Sequence, residues 1–176
     1  VGTPDVYATN VDGTRRLDIP NGGTYQVVDY TWDDPRTILV QRSVESSFLF
    51  KMNVYTGKTT TVATAPLRFG SFIVDGKQNV RYAIGSEKEG VDSVTLRRDG
   101  DKWTTVHRGT MGGSVKMPVG FDRDDKNVIF LISDQGEPNR LSLVNPETGE
   151  ETLLSKSDHV TQSNWLTDHT RRELLA

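Results

Sequence analysis

The chain has no cysteine. Disulfides, thiol chemistry and cysteine-ligated zinc are therefore excluded, though the compartment is not fixed. No apolar run approaches the ~20 residues that cross a bilayer as a helix. No segment carries a 3.6-residue apolar stripe of useful length, and alanine is scarce, so helices are not expected. Neither sign of charge dominates: 21 Lys and Arg stand against 24 Asp and Glu, for a net charge of −3. The basic pairs Arg15-Arg16, Arg97-Arg98 and Arg171-Arg172 are isolated. They form no stripe suited to nucleic acid or to an anionic membrane. There is no Asn-x-Ser/Thr acceptor and no signal peptide, and the opening Val1 reads as the start of an excised or processed chain.

What the sequence does contain is a repeat. Similar turns recur at Asp12-Gly13-Thr14, Thr56-Gly57-Lys58, Asp99-Gly100-Asp101 and Thr148-Gly149-Glu150. From Gly13 to Gly57 is 44 residues, from Gly57 to Gly100 is 43, and from Gly100 to Gly149 is 49. Between these turns lie short β runs rich in Thr and Val, which favour half-buried strands. Aromatics lead into Asp-rich turns at Trp32, Phe72, Phe121 and Trp165. A period in the forties built from short strands predicts propeller blades, each a four-stranded antiparallel sheet.

The fold class read from this pattern is all-β, a β-propeller fragment of three full blades with an N-terminal and a C-terminal half blade. The full blades fall at residues 25–64, 69–108 and 117–155. Residues 3–20 match only the third and fourth strands of a blade, and residues 163–176 only the first and second. Phe48, Phe50, Met52 and Val54 share one face by parity. Val128 to Ile132 is apolar at every position, as expected for a strand covered on both faces.

The residues that could carry chemistry are few. Gly112-Gly113-Ser114-Val115-Lys116 has the serine of a nucleophile elbow but not its final glycine, and reads as a flexible crossover between blades. His107, His159 and His169 have no metal-ligand spacing. Asp122-x-Asp124-Asp125 opens like a calcium loop, but Lys126 and Asn127 occupy positions that require a ligand and a glycine, so it reads as a hydrated turn. Nothing calls for a cofactor or metal. The candidate substrate-binding group is Glu87, Glu89 and Asp92, in the loop between the second and third strands of the middle blade. In a propeller such a loop can face a central pore or a partner domain, and an acidic cluster there suits a peptide amino terminus.

Two segments carry a family resemblance. One is Phe121-Asp-Arg-Asp-Asp-Lys-Asn-Val-Ile-Phe followed by Asn139-Arg-Leu-Ser-Leu-Val-Asn-Pro-Glu-Thr-Gly. The other is Leu49-Phe-Lys-Met-Asn-Val-Tyr-Thr-Gly-Lys. Together with Asn164-Trp-Leu-Thr-Asp-His, they resemble the propeller of prolyl oligopeptidase family serine peptidases, the acylaminoacyl-peptidase and dipeptidyl-aminopeptidase branch most of all. The resemblance implies a non-catalytic lid that admits short peptides to a C-terminal α/β-hydrolase domain. That domain is not in this chain, so no catalytic residue carries over. TolB-like propellers use nearly the same wording and imply a different function: an interaction propeller with no enzyme attached. The expected partners are thus a hydrolase domain with its peptide substrate, or another protein. The half blades add an expectation of self-association, because open strand edges recruit further strands.

Overall fold

The computed structural model describes residues 7–18, 25–30, 34–88, 91–110, 112–159, 167–168 and 173–174. Every regular element among them is a strand. The chain divides into two compact units, Val1–Phe72 and Ile73–Ala176.

In the first unit, β1 (Tyr7–Ala8) and β2 (Leu17–Asp18) pair as a hairpin. The next sheet runs in chain order through β3 (Gln26–Tyr30), β4 (Thr37–Ser43), β5 (Ser47–Asn53) and β6 (Thr59–Ala65), all antiparallel. A second four-stranded sheet follows the same order through β7 (Arg68–Val74), β8 (Val80–Ser86), β9 (Asp92–Asp99) and β10 (Lys102–Thr110). The third comprises β11 (Val115–Phe121), β12 (Val128–Ser133), β13 (Arg140–Val144) and β14 (Glu151–Lys156). A last two-stranded pair joins β15 (Thr167–Asp168) to β16 (Glu173–Leu174). The architecture is that of a propeller fragment: among the described residues, three four-stranded sheets with a two-stranded piece at each end.

The turns explain the period. After β7 the Asp75 carboxylate accepts bonds from the Lys77 and Asn79 amides at 3.0 and 2.9 Å and from the Asn79 side chain. After β11 the Asp122 carboxylate does the same for Lys126 and Asn127. Both turns contain a non-glycine residue at positive φ, Gln78 at 61° and Asp125 at 58°. The link from third to fourth strand is equally repetitive. Asn53 Oδ1 accepts the Tyr55 and Thr56 amides, and Asn145 Oδ1 accepts those of Glu147 and Thr148. Gly57 and Gly149 then occupy the left-handed region at 68° and 75°, where glycine carries no Cβ penalty. Short polar side chains thus supply the backbone partners that strands give up where the chain reverses.

The cores are layered. In the first unit Val40 and Met52 are buried and pack with Tyr25, Ile38 and Phe50. In the second, one face of β12 places Val128, Phe130 and Ile132 against Tyr82 and Ile73 of the neighbouring sheet. The other face places Ile129 and Leu131 with Leu141, Met117, Val119 and Leu143. The continuous apolar run of β12 therefore serves two layers, and burying each such side chain stabilises the fold by about 1.5–3 kcal/mol. Phe121 completes the first layer, 6.3 Å from Tyr82 with Arg81 lying over its ring. Trp32 and Trp165 lie outside the described residues.

Two local details go beyond the sequence pattern. At the crossover, Gly113 donates to the Thr110 carbonyl at 2.8 Å, and a Cβ on Gly109 would meet the Ser114 carbonyl oxygen at 2.1 Å. The fourth strand of the second sheet runs to Thr110, past the expected end of its blade at residue 108, and carries a bulge between Thr105 and His107.

Candidate functional site

The acidic loop of the second sheet is built by its own residues. Asp92 opens β9 and turns its carboxylate back over the loop, accepting the Lys88 amide at 3.0 Å, the Glu87 amide at 3.2 Å and the Ser86 hydroxyl. Those bonds, the Ser86 hydroxyl first, hold its carboxyl below the ordinary range. Glu87 forms a two-pronged ion pair with the Arg108 guanidinium near the end of β10, one arm at 2.9 Å. Arg108 lowers the Glu87 carboxyl in turn. The structure thus brings Glu87 and Asp92 to one loop but gives each a partner within the chain; Glu89 lies outside the described residues. A substrate ammonium would have to displace Arg108 to reach Glu87.

The other candidates also have structural assignments. The Nε2 of His107 lies 3.0 Å from the backbone carbonyl of Ser114, not from its hydroxyl. A carbonyl only accepts, so that nitrogen carries the proton and is no base for the serine. Asp122 is occupied by its own turn. His159 is exposed, and its amide donates to the Ser157 hydroxyl. His169 lies outside the described residues. Among the described residues no three His, Asp or Glu side chains are placed to hold a metal ion.

A site that sequence reasoning missed lies in the first unit, where the loop Val44–Ser46 between β4 and β5 meets the start of β7. Phe69 is 71% exposed, and its φ is 49°. A bulky aromatic in the left-handed region costs about 1–2 kcal/mol and persists only where its surroundings enforce it. They do so here. The buried Ser47 hydroxyl donates to the Leu67 carbonyl at 2.7 Å and accepts the Gly70 amide at 3.0 Å. The Ser43 hydroxyl also accepts the Gly70 amide, at 2.6 Å. Buried Gln41 donates to Gln26 and Ser71 and accepts the Phe72 amide at 3.0 Å. The residues on both sides of Phe69 are thereby fixed, and its own amide reaches the Val44 carbonyl at 3.4 Å. Val44 is itself 55% exposed. Arg68 pairs loosely with Glu45 at 3.7 Å beside them. In the sequence, Phe69 followed by Gly70 resembles any strand aromatic bound for the core. Nothing local reveals the sign of φ.

Comparison with known proteins bears on the fold alone. Over 97% of its length the chain superposes on the crystal structure of TolB from Acinetobacter baumannii, with a TM-score of 0.59 and 11% identity. The fold is that of part of a TolB-like β-propeller. The chain spans 42% of that TolB chain. No family model and no curated protein sequence matches it.

Proposed function

We propose that the chain is part of a protein-interaction propeller, a rigid scaffold that presents loops for another protein to grip. One observation carries the reading: the exposed pair Phe69 and Val44 rests on a buried support whose polar atoms are hydrogen-bonded. Exposed aromatics held rigidly are what binding hot spots are made of. A photo-cross-linking residue tests this when placed at Ser46, in a second-to-third strand loop, and at Tyr55, in the turn at the opposite end of the same sheet. In an extract of the source cells a discrete adduct is expected from Ser46 and not from Tyr55. Diffuse labelling from both sites, or hydrolysis of chromogenic peptides that co-purifies with the chain, would overturn the reading.

The narrower reading is a substrate-gating portion of a serine oligopeptidase. It is supported by the likeness of residues 49–58, 121–130 and 139–149 to that family's propeller. A hydrolase domain encoded in the same reading frame tests it. Its acidic residues Glu87, Glu89 and Asp92 are the proposed grip for a peptide amino terminus, in competition with Arg108. Self-association is supported by the sheets at either end, which among the described residues have two strands where the other three have four. A sedimentation coefficient independent of concentration would count against it.

A further inference from the structure

The edges of the sheets carry a pattern of their own. Five edge strands each hold one residue more than the neighbour they pair with. The extra residue is Val28 in β3, Val62 in β6, Val106 in β10, Val119 in β11 and Leu154 in β14. The pairings between inner strands, β4 with β5, β8 with β9 and β12 with β13, run without a shift. A bulge leaves its extra residue out of the ladder, bends the strand and increases its twist. On an edge, that spoils the row of N–H and C=O groups another strand would need. β6 has the least other protection. It is the last strand of its sheet, and Thr59–Ala65 includes no charged residue and no proline. Thr59, Thr60 and Thr61 are exposed. An uncharged, β-prone segment of this kind is what pairs with its own copies. β10 carries Lys102 and Arg108, and β14 carries Glu151 and Lys156.

We infer that the bulge at Val62 guards the outer edge of the first sheet against pairing with a second copy of this chain, and that the bulges at Val106 and Leu154 do the same for the other two. The inference goes beyond the interaction reading and stands without it. The register makes the guard removable. Thr61 pairs with Phe50, and Ala63 with Leu49. With Val62 deleted, those pairs would follow each other directly, and the residues of β6 would keep their faces by alternation. What changes is the outward edge, which becomes regular from Thr59 to Ala65.

The chain has no cysteine, so Thr60→Cys carries a single nitroxide on an exposed position of β6. The experiment is electron paramagnetic resonance of this label with and without Val62, with a thermal melt to confirm folding. With Val62 in place the line should stay sharp at every concentration, whether or not the chain associates through another surface. Without Val62 it should broaden as concentration rises, and sharpen again when the labelled protein is diluted into an excess of unlabelled protein of the same sequence. Adding Thr61→Lys to the deletion should restore the sharp line, because a charge on an edge blocks pairing. A folded deletion protein whose line stays sharp overturns the inference. Broadening with Val62 in place overturns it too, as does broadening that survives dilution or Thr61→Lys. Should the chain without Val62 not melt cooperatively, Val106 is deleted instead, with the label on Thr104→Cys and Thr105→Lys as the added charge. Thr105 and His107 would then face Leu96 and Thr95 in direct succession, and the same outcomes decide.

Discussion

Asp75 concentrates the logic of the turns in one carboxylate. It is buried, yet it accepts two backbone amides and the Asn79 side chain and pairs with Arg81 at 3.2 Å. Burial alone would raise its carboxyl; the bonds from Asn79, Lys77 and Arg81 outweigh burial and hold it below its ordinary 3.8. A carboxyl lowered by folding stabilises the native state above its unfolded value and loses that contribution as pH falls through the folded one. Asp75→Asn is therefore expected to cost about 1–3 kcal/mol near neutral pH. In thermal melts the gap from wild type should stay constant from pH 8 to about 5 and narrow below about 4. Ser142 is the opposite case. Its hydroxyl is buried in β13 without a partner among the described residues. Ser142→Ala should leave stability unchanged or raise it by up to about 1 kcal/mol in denaturant unfolding.

At the scale of the element, tight packing decides which glycines can change. Gly109 lies in β10 against the crossover into the third sheet. A Cβ there would overlap the Ser114 carbonyl oxygen and come within 3.1 Å of His107 Nε2. Gly109→Ala is expected to destabilise by about 1–3 kcal/mol through overpacking. Gly120, beside the bulge of β11, has nothing within 4 Å of the same Cβ and serves as the control, with a smaller change in the same melt. What was legible in the sequence follows from how local each cause is. The Asp-to-Asn turns could be read because donor and acceptor lie within five residues, as Asp122 and Asn127 do. The two-faced burial of β12 could be read because every position is apolar. The bulges at Pro118/Gly120 and Leu141/Ser142 could not, since register depends on the partner strand. The role of Glu87 was likewise hidden, because Arg108 lies 21 residues away. Phe69 escaped for a related reason: its left-handed backbone is imposed by Ser43, Ser47 and Gln41 from other strands.

For the whole molecule, the central claim is that one folding unit, a four-stranded antiparallel meander, is repeated and its faces are layered. The buried layer uniting Tyr82 with Val128, Phe130 and Val144 shows the layering within the second unit. The Asp125 carboxylate reinforces it by accepting the Gly76 amide at 3.0 Å, joining equivalent turns of successive sheets. Backbone proton contacts in a nuclear Overhauser spectrum test the repeat most directly. Cross-strand contacts are predicted from Ile38 to Met52, Tyr82 to Arg97 and Val128 to Val144, each within its own meander. Contacts of helical spacing, or strand pairing that links β6 to β7 in one continuous sheet, would contradict the account.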